Sequence, residues 1–174
     1  MTSLLKQYII QEHEKNMLLE RVRTFSQEDL RWKATKNDWS IREVLEHIVL
    51  GEQIVVQKYL ERKQKVVHKK GLKNDILYYI VGAVLRLHIP VQIPAKSLDP
   101  INKHSLEQIA DAWEISRNQF KKHITTLRSV DLEKAYFVHP VCGPITAQQA
   151  LSLSKYHFAV HLKQIHTIID SLTH

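Results

Sequence analysis

The sequence is poor in cysteine, glycine and proline, and each shortage narrows what the chain can be. Its single cysteine, Cys142, excludes an intramolecular disulfide and a cysteine-rich zinc site. With 4 glycines and 5 prolines among 174 residues, the chain has few helix breakers, which favours long helices over many short strands. Strand signals are weak throughout, so we predict an all-α fold.

The chain also lacks the signals of secretion and of membrane insertion. Its first residues, MTSLLKQYIIQEHEKN, have neither the apolar core nor the small-residue cleavage site of a signal peptide. The uncharged run ILYYIVGAVL, residues 76–85, is ten residues long, whereas a membrane-spanning helix needs about 20. One cysteine also fits a reducing compartment, so we expect a cytoplasmic protein.

The chain has the composition of an ordinary globular protein and a net positive charge. Hydrophobic residues make up 44% and charged residues 25% of the sequence, and the length suits one domain over residues 1–174. The net charge of +7 attracts nucleic acid, anionic lipid or an acidic ligand without selecting among them. Because no groove-reading motif or aromatic platform is present, no nucleic-acid partner is expected.

Apolar spacing and capping signals divide the chain into four main helices. The first follows from apolar spacing alone. The other three open with capping boxes at Ser40, Ser105 and Thr146, each followed three residues later by Glu or Gln. The predicted spans are 3–23, 40–65, 105–127 and 146–172.

A long connection separates the second and third of these helices. Residues 72–88 within it look helical, and Pro90, Pro94 and Pro100 follow in an extended stretch. A connection of about forty residues lets the two helices that it joins run parallel. The predicted architecture is therefore a four-helix bundle with one long crossover connection.

The last helix places two histidines on its apolar face. In YHFAVHLKQI, residues 156–165, His157 and His161 are four apart, so one lies a turn above the other. A buried ring nitrogen needs a hydrogen bond or a metal ion, and two imidazoles at this spacing can bind one ion. The apolar triplet FAV between them lacks the glutamate of an H-E-x-x-H zinc protease. Core histidines satisfied by hydrogen bonds remain the alternative.

His47 is the best candidate for a third ligand, because it lies beside the apolar stripe of the second helix. Gly51, one turn beyond it, costs helix stability, so it either leaves room for another group or marks a close helix crossing. Gln164 and Glu43 are each one turn from a histidine, and they are candidates to orient the rings by hydrogen bonds. Capping already accounts for Glu43.

Two stretches of the sequence resemble the DinB-like (YfiT-like) superfamily. They are DWSIREVLEHIVLGE, residues 38–52, and HPVCGPITAQQALSLSKYHFAVHLKQI, residues 139–165. The resemblance implies a four-helix bundle, often dimeric, with a divalent metal ion held by three histidines, here His47, His157 and His161. Zinc, nickel and iron are the expected ions, since imidazole suits all three.

The resemblance leaves the chemistry open, because the superfamily includes thiol transferases, thiol-dependent isomerases and many members without a known activity. We expect a metal-dependent enzyme of the thiol-transferase or hydrolase type. Its substrate would be a small molecule, with a low-molecular-weight thiol as a candidate, and the protein would form a homodimer. Whether the chain is an enzyme stays open at this point.

A non-catalytic metal-binding or interaction module is the alternative. Residues 58–73, KYLERKQKVVHKKGLK, are strongly basic and are followed by the apolar run 76–85. Together, residues 58–85 could contact an anionic membrane or a partner protein. The simpler interpretation, which we favour, is a solvated helix end followed by a buried core segment.

Further expectations concern single residues outside the candidate ligands. Trp39 is expected to pack at the entry of the second helix, and Cys142 to be a small buried residue rather than a nucleophile. His139 is either a loop residue or a group at the edge of the site. The remaining histidines are expected at the surface: His13, His68, His88, His104, His123, His166 and His174.

Overall fold

The computed structural model describes residues 3–60, 67–89 and 98–172, and the side chains of these except residues 58–60. Within these ranges the chain forms five α-helices and one short hairpin, which confirms the predicted all-α class. The elements are α1 (Ser3–Val22), α2 (Ile41–Leu60), α3 (Leu72–Arg86), α4 (Leu106–Thr125), β1 (Phe137–His139), β2 (Gly143–Ile145) and α5 (Ala147–Leu172). Short 3₁₀ turns lie at Asp29–Arg31 and Ser129–Asp131.

Four of the helices form the predicted bundle. Helices α1 and α2 each pack against both α4 and α5, so α1 and α2 occupy opposite corners. Near its start, α2 contacts the residues just before α4, through Glu46 and Asn102. Farther along, Glu52 accepts a hydrogen bond from Trp113. The two helices therefore run parallel, which the long connection between them allows.

All three predicted capping boxes are present and set where their helices begin. In each, the capping hydroxyl accepts the backbone N–H of the residue three positions later, whose side chain accepts the N–H of the cap in return. The pairs are Ser40 with Glu43, Ser105 with Gln108, and Thr146 with Gln149. The predicted end of the second helix, near residue 65, lies outside the described residues.

A small antiparallel hairpin precedes α5, where the sequence predicted no strand. Its register pairs Phe137 with Ile145, and each strand has only three residues, too few for a clear alternating pattern. Gly143 in the second strand has a φ of +71°, which favours glycine. The Asn74 side-chain amide donates to the Cys142 carbonyl at 2.8 Å, so the hairpin is tied to α3.

Helix α3 lies on the outside of the bundle, against α5 and β2. The prediction that residues 76–85 are a buried core segment is therefore wrong for one face of this helix. That face exposes Leu72, Ile76, Tyr79 and Ile80. Part of the basic stretch before it, residues 61–66, lies outside the described residues. No helix in the described ranges is long and apolar enough to cross a membrane.

Two hydrophobic clusters fill the structure, and a histidine expected at the surface packs against one of them. His123 on α4 is only 4% exposed, with its ring edge-on to Tyr136 and Phe137 at centroid distances of 5.3 and 5.2 Å. The surface prediction failed because His123 continues the apolar face of α4, three residues beyond Phe120. Among the other histidines, His68 is half-buried, His174 is outside the described residues, and four are exposed: His13, His88, His104 and His166.

Candidate metal centre

The rings of the three predicted histidines meet between α2 and α5. The Nε2 atom of His157 lies 3.2 Å from the Nε2 atom of His47 and 3.2 Å from that of His161. One nitrogen from each ring lies within 4.8 Å of the others. The four-residue spacing on α5 aligns two of the rings, and the packing of α2 against α5 brings in the third.

Hydrogen bonds at the far side of two rings decide which way their lone pairs point. The Nδ1 atom of His47 lies 2.8 Å from the carbonyl oxygen of Leu98, and that of His161 lies 2.8 Å from Oε1 of Gln164. Because both partners are acceptors, each Nδ1 donates its N–H, and each Nε2 carries a lone pair directed at the cluster. The expected contact between Gln164 and His161 is present.

The carbonyl of Leu98 was not found from the sequence, since a backbone acceptor leaves no residue-type signal. The segment after it is fixed to α2 through Glu46. The carboxylate of Glu46 accepts the backbone N–H of Asn102 at 2.8 Å and the Nδ1–H of His104 at 2.5 Å. This attachment holds the end of the crossover beside His47.

The cluster lacks the donors that would satisfy it by hydrogen bonds alone. Two of the three Nε2 atoms, those of His47 and His161, present lone pairs to the Nε2 of His157. A neutral imidazole carries one N–H, so His157 can donate to only one of them. A divalent cation accepts all three lone pairs at once, and neutral imidazole is a preferred zinc ligand. The residues present therefore fit a metal ion.

Glycine at position 51 makes this convergence possible. A Cβ atom placed on Gly51 would lie 3.3 Å from Cε1 of His157, which is tighter than ordinary van der Waals contact. Of the two roles that the sequence allowed for this glycine, leaving room for another group is the one that the structure shows. That group is the His157 ring.

Trp39, which immediately precedes the Ser40 cap of α2, covers one side of the cluster. Its ring centroid lies 4.9 Å from that of His47 and 6.4 Å from that of His161. Packing at the helix entry therefore also means packing on two of the candidate ligands. The tryptophan shields the rings from solvent on this side and restricts their rotation.

Glu43 does not orient a histidine, contrary to its candidate role. Its Oε2 atom accepts the Ser40 N–H at 2.8 Å and the Ser40 hydroxyl at 3.0 Å, and its Oε1 atom accepts from Lys33 at 2.8 Å. Both oxygens are thus used by the helix cap and by a lysine. The cap sets the start of α2, and the Leu98 carbonyl takes the role at His47.

Burial keeps all three rings neutral. Removal from water lowers the pKa of His161 to about 4, and it lowers that of His157 well below the usual histidine value, as does its proximity to His161 and His47. Burial also lowers the pKa of His47. Neutral imidazole is the form that binds metal, so at pH 7 protons do not compete for these nitrogens.

A cavity of about 900 Å³ opens from the histidines into the bundle. His139 lines it, which places this residue at the edge of the site; its Nδ1 accepts the Val141 N–H at 3.1 Å. Cys142 is fully buried, and burial raises the pKa of its thiol to about 11, so it is not a nucleophile. Most of the cavity wall is apolar and includes Val55, Val56, Val81, Leu85, Phe120, Ile145, Leu151 and Leu153.

A buried polar network lies one helical turn from the histidines, and the sequence analysis missed it. Glu52 accepts from Ser154 Oγ at 2.6 Å and from Trp113 Nε1 at 3.0 Å, and Arg117 Nη1 lies 3.5 Å from its Oε1. Arg117 Nε donates to Glu12 Oε1 at 2.5 Å. A signal was available, because Arg117 stands on the apolar face of α4, where a charge requires a partner.

Comparison with known proteins identifies the family of the chain, and the matched region includes the candidate site. A sequence model of the DinB superfamily matches residues 11–165, which include all three histidines. The chain is also 26% identical over 148 residues to the uncharacterized protein YuaE of Bacillus subtilis (strain 168), covering 84% of this chain and 87% of that protein. No solved structure matches the chain significantly.

Proposed function

Since the chain belongs to the DinB superfamily, we propose that it binds one divalent metal ion through His47, His157 and His161 and uses it in catalysis. The observation that carries the proposal is the convergence of the three Nε2 atoms, with 3.2 Å between His157 and each of the other two. Zinc, nickel and iron suit an all-imidazole ligand set. The reaction we propose is transfer of a thiol to a small organic electrophile, or hydrolysis with water in place of the thiol.

The residues of the chain have separate tasks in this proposal. A bound divalent ion would supply a Lewis acid, which lowers the pKa of a thiol or water and so provides a nucleophile near neutral pH. Three protein ligands leave a position for that nucleophile. The Leu98 carbonyl and Gln164 hold the ring tautomers, and Trp39 limits access of solvent from one side.

The proposal extends to the setting of the protein. A low-molecular-weight thiol is the proposed co-substrate, and a homodimer is the proposed assembly, both on the resemblance to characterised members of the superfamily. A cytoplasmic location is supported by the single unpaired cysteine, which fits a reducing compartment. Sedimentation of the purified protein tests the dimer directly.

An activity panel tests the function. Protein purified without a histidine tag would be stripped with a chelator and reloaded with zinc, nickel or ferrous iron. Loss of free thiol would then be followed with simple electrophiles, and ester hydrolysis without thiol. We expect activity only in the reloaded protein, its loss in His157→Ala, and its retention in His166→Ala, a matched change of an exposed histidine on the same helix. A wild type that binds metal yet turns over nothing would contradict the catalytic proposal.

A binding module is a second candidate, favoured by the exposed apolar face of α3. Leu72 is 77% and Tyr79 65% exposed, and lysines precede the helix at positions 69 and 70. We propose an anionic membrane surface as the contact in this case. Flotation with phosphatidylserine vesicles tests it: binding should be lost in Tyr79→Glu, and absence of binding in the wild type would exclude it.

A further inference from the structure

The cavity interior is chemically unlike its histidine end. Val55 and Val56 from α2, Val81 and Leu85 from α3, and Phe120 from α4 form apolar walls around a volume of about 900 Å³. A cavity of this size accommodates a drug-sized organic molecule. Its lining therefore carries information about the substrate that the metal ligands do not.

The charged groups of the described lining do not favour a polar, multiply charged guest. Arg117 is paired with Glu12 and Glu52, so its charge is already neutralised. The other lysine or arginine among the described lining residues, Lys163, is exposed to solvent. A guest with several carboxylates would lose its hydration inside without gaining a free cation, and this is costly.

In the part of the wall that the structure describes, one polar atom, the hydroxyl of Ser116, lacks a hydrogen-bond partner. Ser116 on α4 is 3% exposed, lines the cavity, and its hydroxyl makes no hydrogen bond to the described residues. Ser154, by contrast, donates to Glu52. A buried hydroxyl without a partner costs free energy, and an acceptor or donor on a guest molecule would remove that cost.

We propose that this cavity binds an apolar organic substrate of the alkyl or aryl class. Its reacting atom faces the three histidines, its hydrocarbon body lies along the walls of α2, α3 and α4, and one polar atom on that body reaches Ser116. This inference rests on the proposed function for the reacting end and names the substrate class for the same site. A polar thiol co-substrate would then reach the metal from the mouth of the cavity.

A series of straight-chain thiols, from ethanethiol to octanethiol, tests the proposal without any turnover. The probe is the cobalt(II)-loaded protein, in which thiolate binding gives a charge-transfer absorption band from which Kd is read. Burial of each methylene should lower Kd by about fourfold, until the cavity is filled.

Two substitutions on neighbouring positions of α3 separate the cavity from the surface. Val81→Trp narrows the cavity at the α3 wall and should reduce the gain with chain length for the longer thiols, with little effect on ethanethiol. Ile80→Trp, at a position that is 52% exposed, should behave as the wild type. Circular dichroism and cobalt stoichiometry establish that both variants fold and load.

Thiols of the same chain lengths that carry a terminal hydroxyl test whether a polar atom of the ligand reaches Ser116. At one chain length the terminal hydroxyl should reach Ser116 and lower Kd by several-fold relative to the shorter hydroxyl-bearing thiols. Ser116→Ala should remove that gain and leave the plain alkanethiols unaffected. A smooth series without such a length, or a gain that survives in Ser116→Ala, would overturn the assignment of the polar atom.

The possible outcomes distinguish a failure of the apolar-substrate proposal from a failure of the proposed metal site. A protein that binds no cobalt contradicts the proposed metal site itself. A loaded protein that binds thiols with a Kd independent of chain length overturns the apolar substrate while leaving the metal site intact.

Discussion

Two buried polar clusters line the same cavity, and they are built on opposite principles. In the network around Glu52, each charge meets its complement: Arg117 meets Glu12 and Glu52, and Ser154 and Trp113 donate to Glu52. In the histidine cluster, like groups converge, and two lone pairs face a nitrogen that can donate to only one of them. Matched polar groups stabilise the bundle, whereas unmatched ones require a ligand.

The largest expected effect comes from breaking the matched network. Arg117→Ala leaves the Glu52 carboxylate without its cation, whereas Glu12 keeps its pair with Lys15. Loss of one partner of such a pair should cost about 3–5 kcal/mol of unfolding free energy. Urea unfolding monitored by circular dichroism measures this. Arg23→Ala, which removes an exposed pair with Glu107, is the control and should cost at most about 1 kcal/mol. Equal effects of the two substitutions would show that the network is not a structural element.

The unmatched cluster should make metal-free protein sensitive to acid. Above about pH 6.5, the ordinary histidine value, the rings are neutral in both folded and unfolded chains, so they contribute no pH dependence. Below it, the unfolded chain takes up protons first, because the folded pKa of His161 is about 4. Stability is therefore lost as the pH falls through this window, by on the order of 2 kcal/mol at pH 5 for this ring.

Urea unfolding at pH 7.5 and pH 5, with a chelator present, measures the loss. His161→Gln should show a smaller difference between the two pH values than the wild type. His166→Gln, which alters an exposed ring on the same helix, should retain the full difference. If His161→Gln loses as much stability between pH 7.5 and pH 5 as the wild type does, the acid sensitivity arises elsewhere in the chain.

Loosening one ring should weaken metal binding without affecting the fold. Gln164→Ala removes the acceptor that holds the Nδ1–H of His161, and loss of such a partner typically costs about 10–100-fold in metal affinity. Competition against a chromogenic chelator measures the affinity. Gln164→Glu retains an acceptor and should recover most of it. An unchanged affinity in Gln164→Ala would show that the hydrogen bond does not orient the ligand.

The smallest expected effect compares two helical glycines. Gly51→Ala should stabilise α2 by about 0.5–1 kcal/mol through helix propensity but displace the His157 ring and weaken metal binding several-fold. Gly82→Ala should give the same helical gain with unchanged affinity, because its Cβ would meet Tyr156 at an ordinary 3.7 Å. Equal metal affinity in both variants would show that Gly51 is not needed to make room for the His157 ring.

The features of the fold and of the site that could be predicted from the sequence are those that depend on neighbouring residues. Capping boxes place Ser40, Ser105 and Thr146 at helix starts, and the four-residue spacing aligns His157 with His161. These signals need no knowledge of the rest of the chain, and they were sufficient for the helix starts and for the alignment of the two histidines on α5. The third histidine, His47, was predicted from its place beside the apolar stripe of the second helix and from the family resemblance.

The parts that were missed depend on distant partners. The ion pair between Glu52 and Arg117 joins residues 65 positions apart, and the contact of Leu98 with His47 uses a backbone oxygen across 51 positions. The helical pattern places Arg117 on an apolar face but does not identify its partner, and the Leu98 oxygen leaves no residue-type signal. The predicted role of Glu43 in orienting a histidine was wrong for a different reason. Its position one turn from His47 is also the position that a capping box requires.

Calorimetric titration of zinc into tag-free, metal-free protein at pH 7 measures whether the three histidines bind a metal ion. We expect one ion per chain, loss of binding at micromolar concentration in His157→Ala, and wild-type binding in His166→Ala. Few protons should be released from the ligands, since burial lowers the pKa of all three rings. A wild type that refuses both zinc and nickel, or a His157→Ala variant with wild-type affinity, would contradict the proposed metal site.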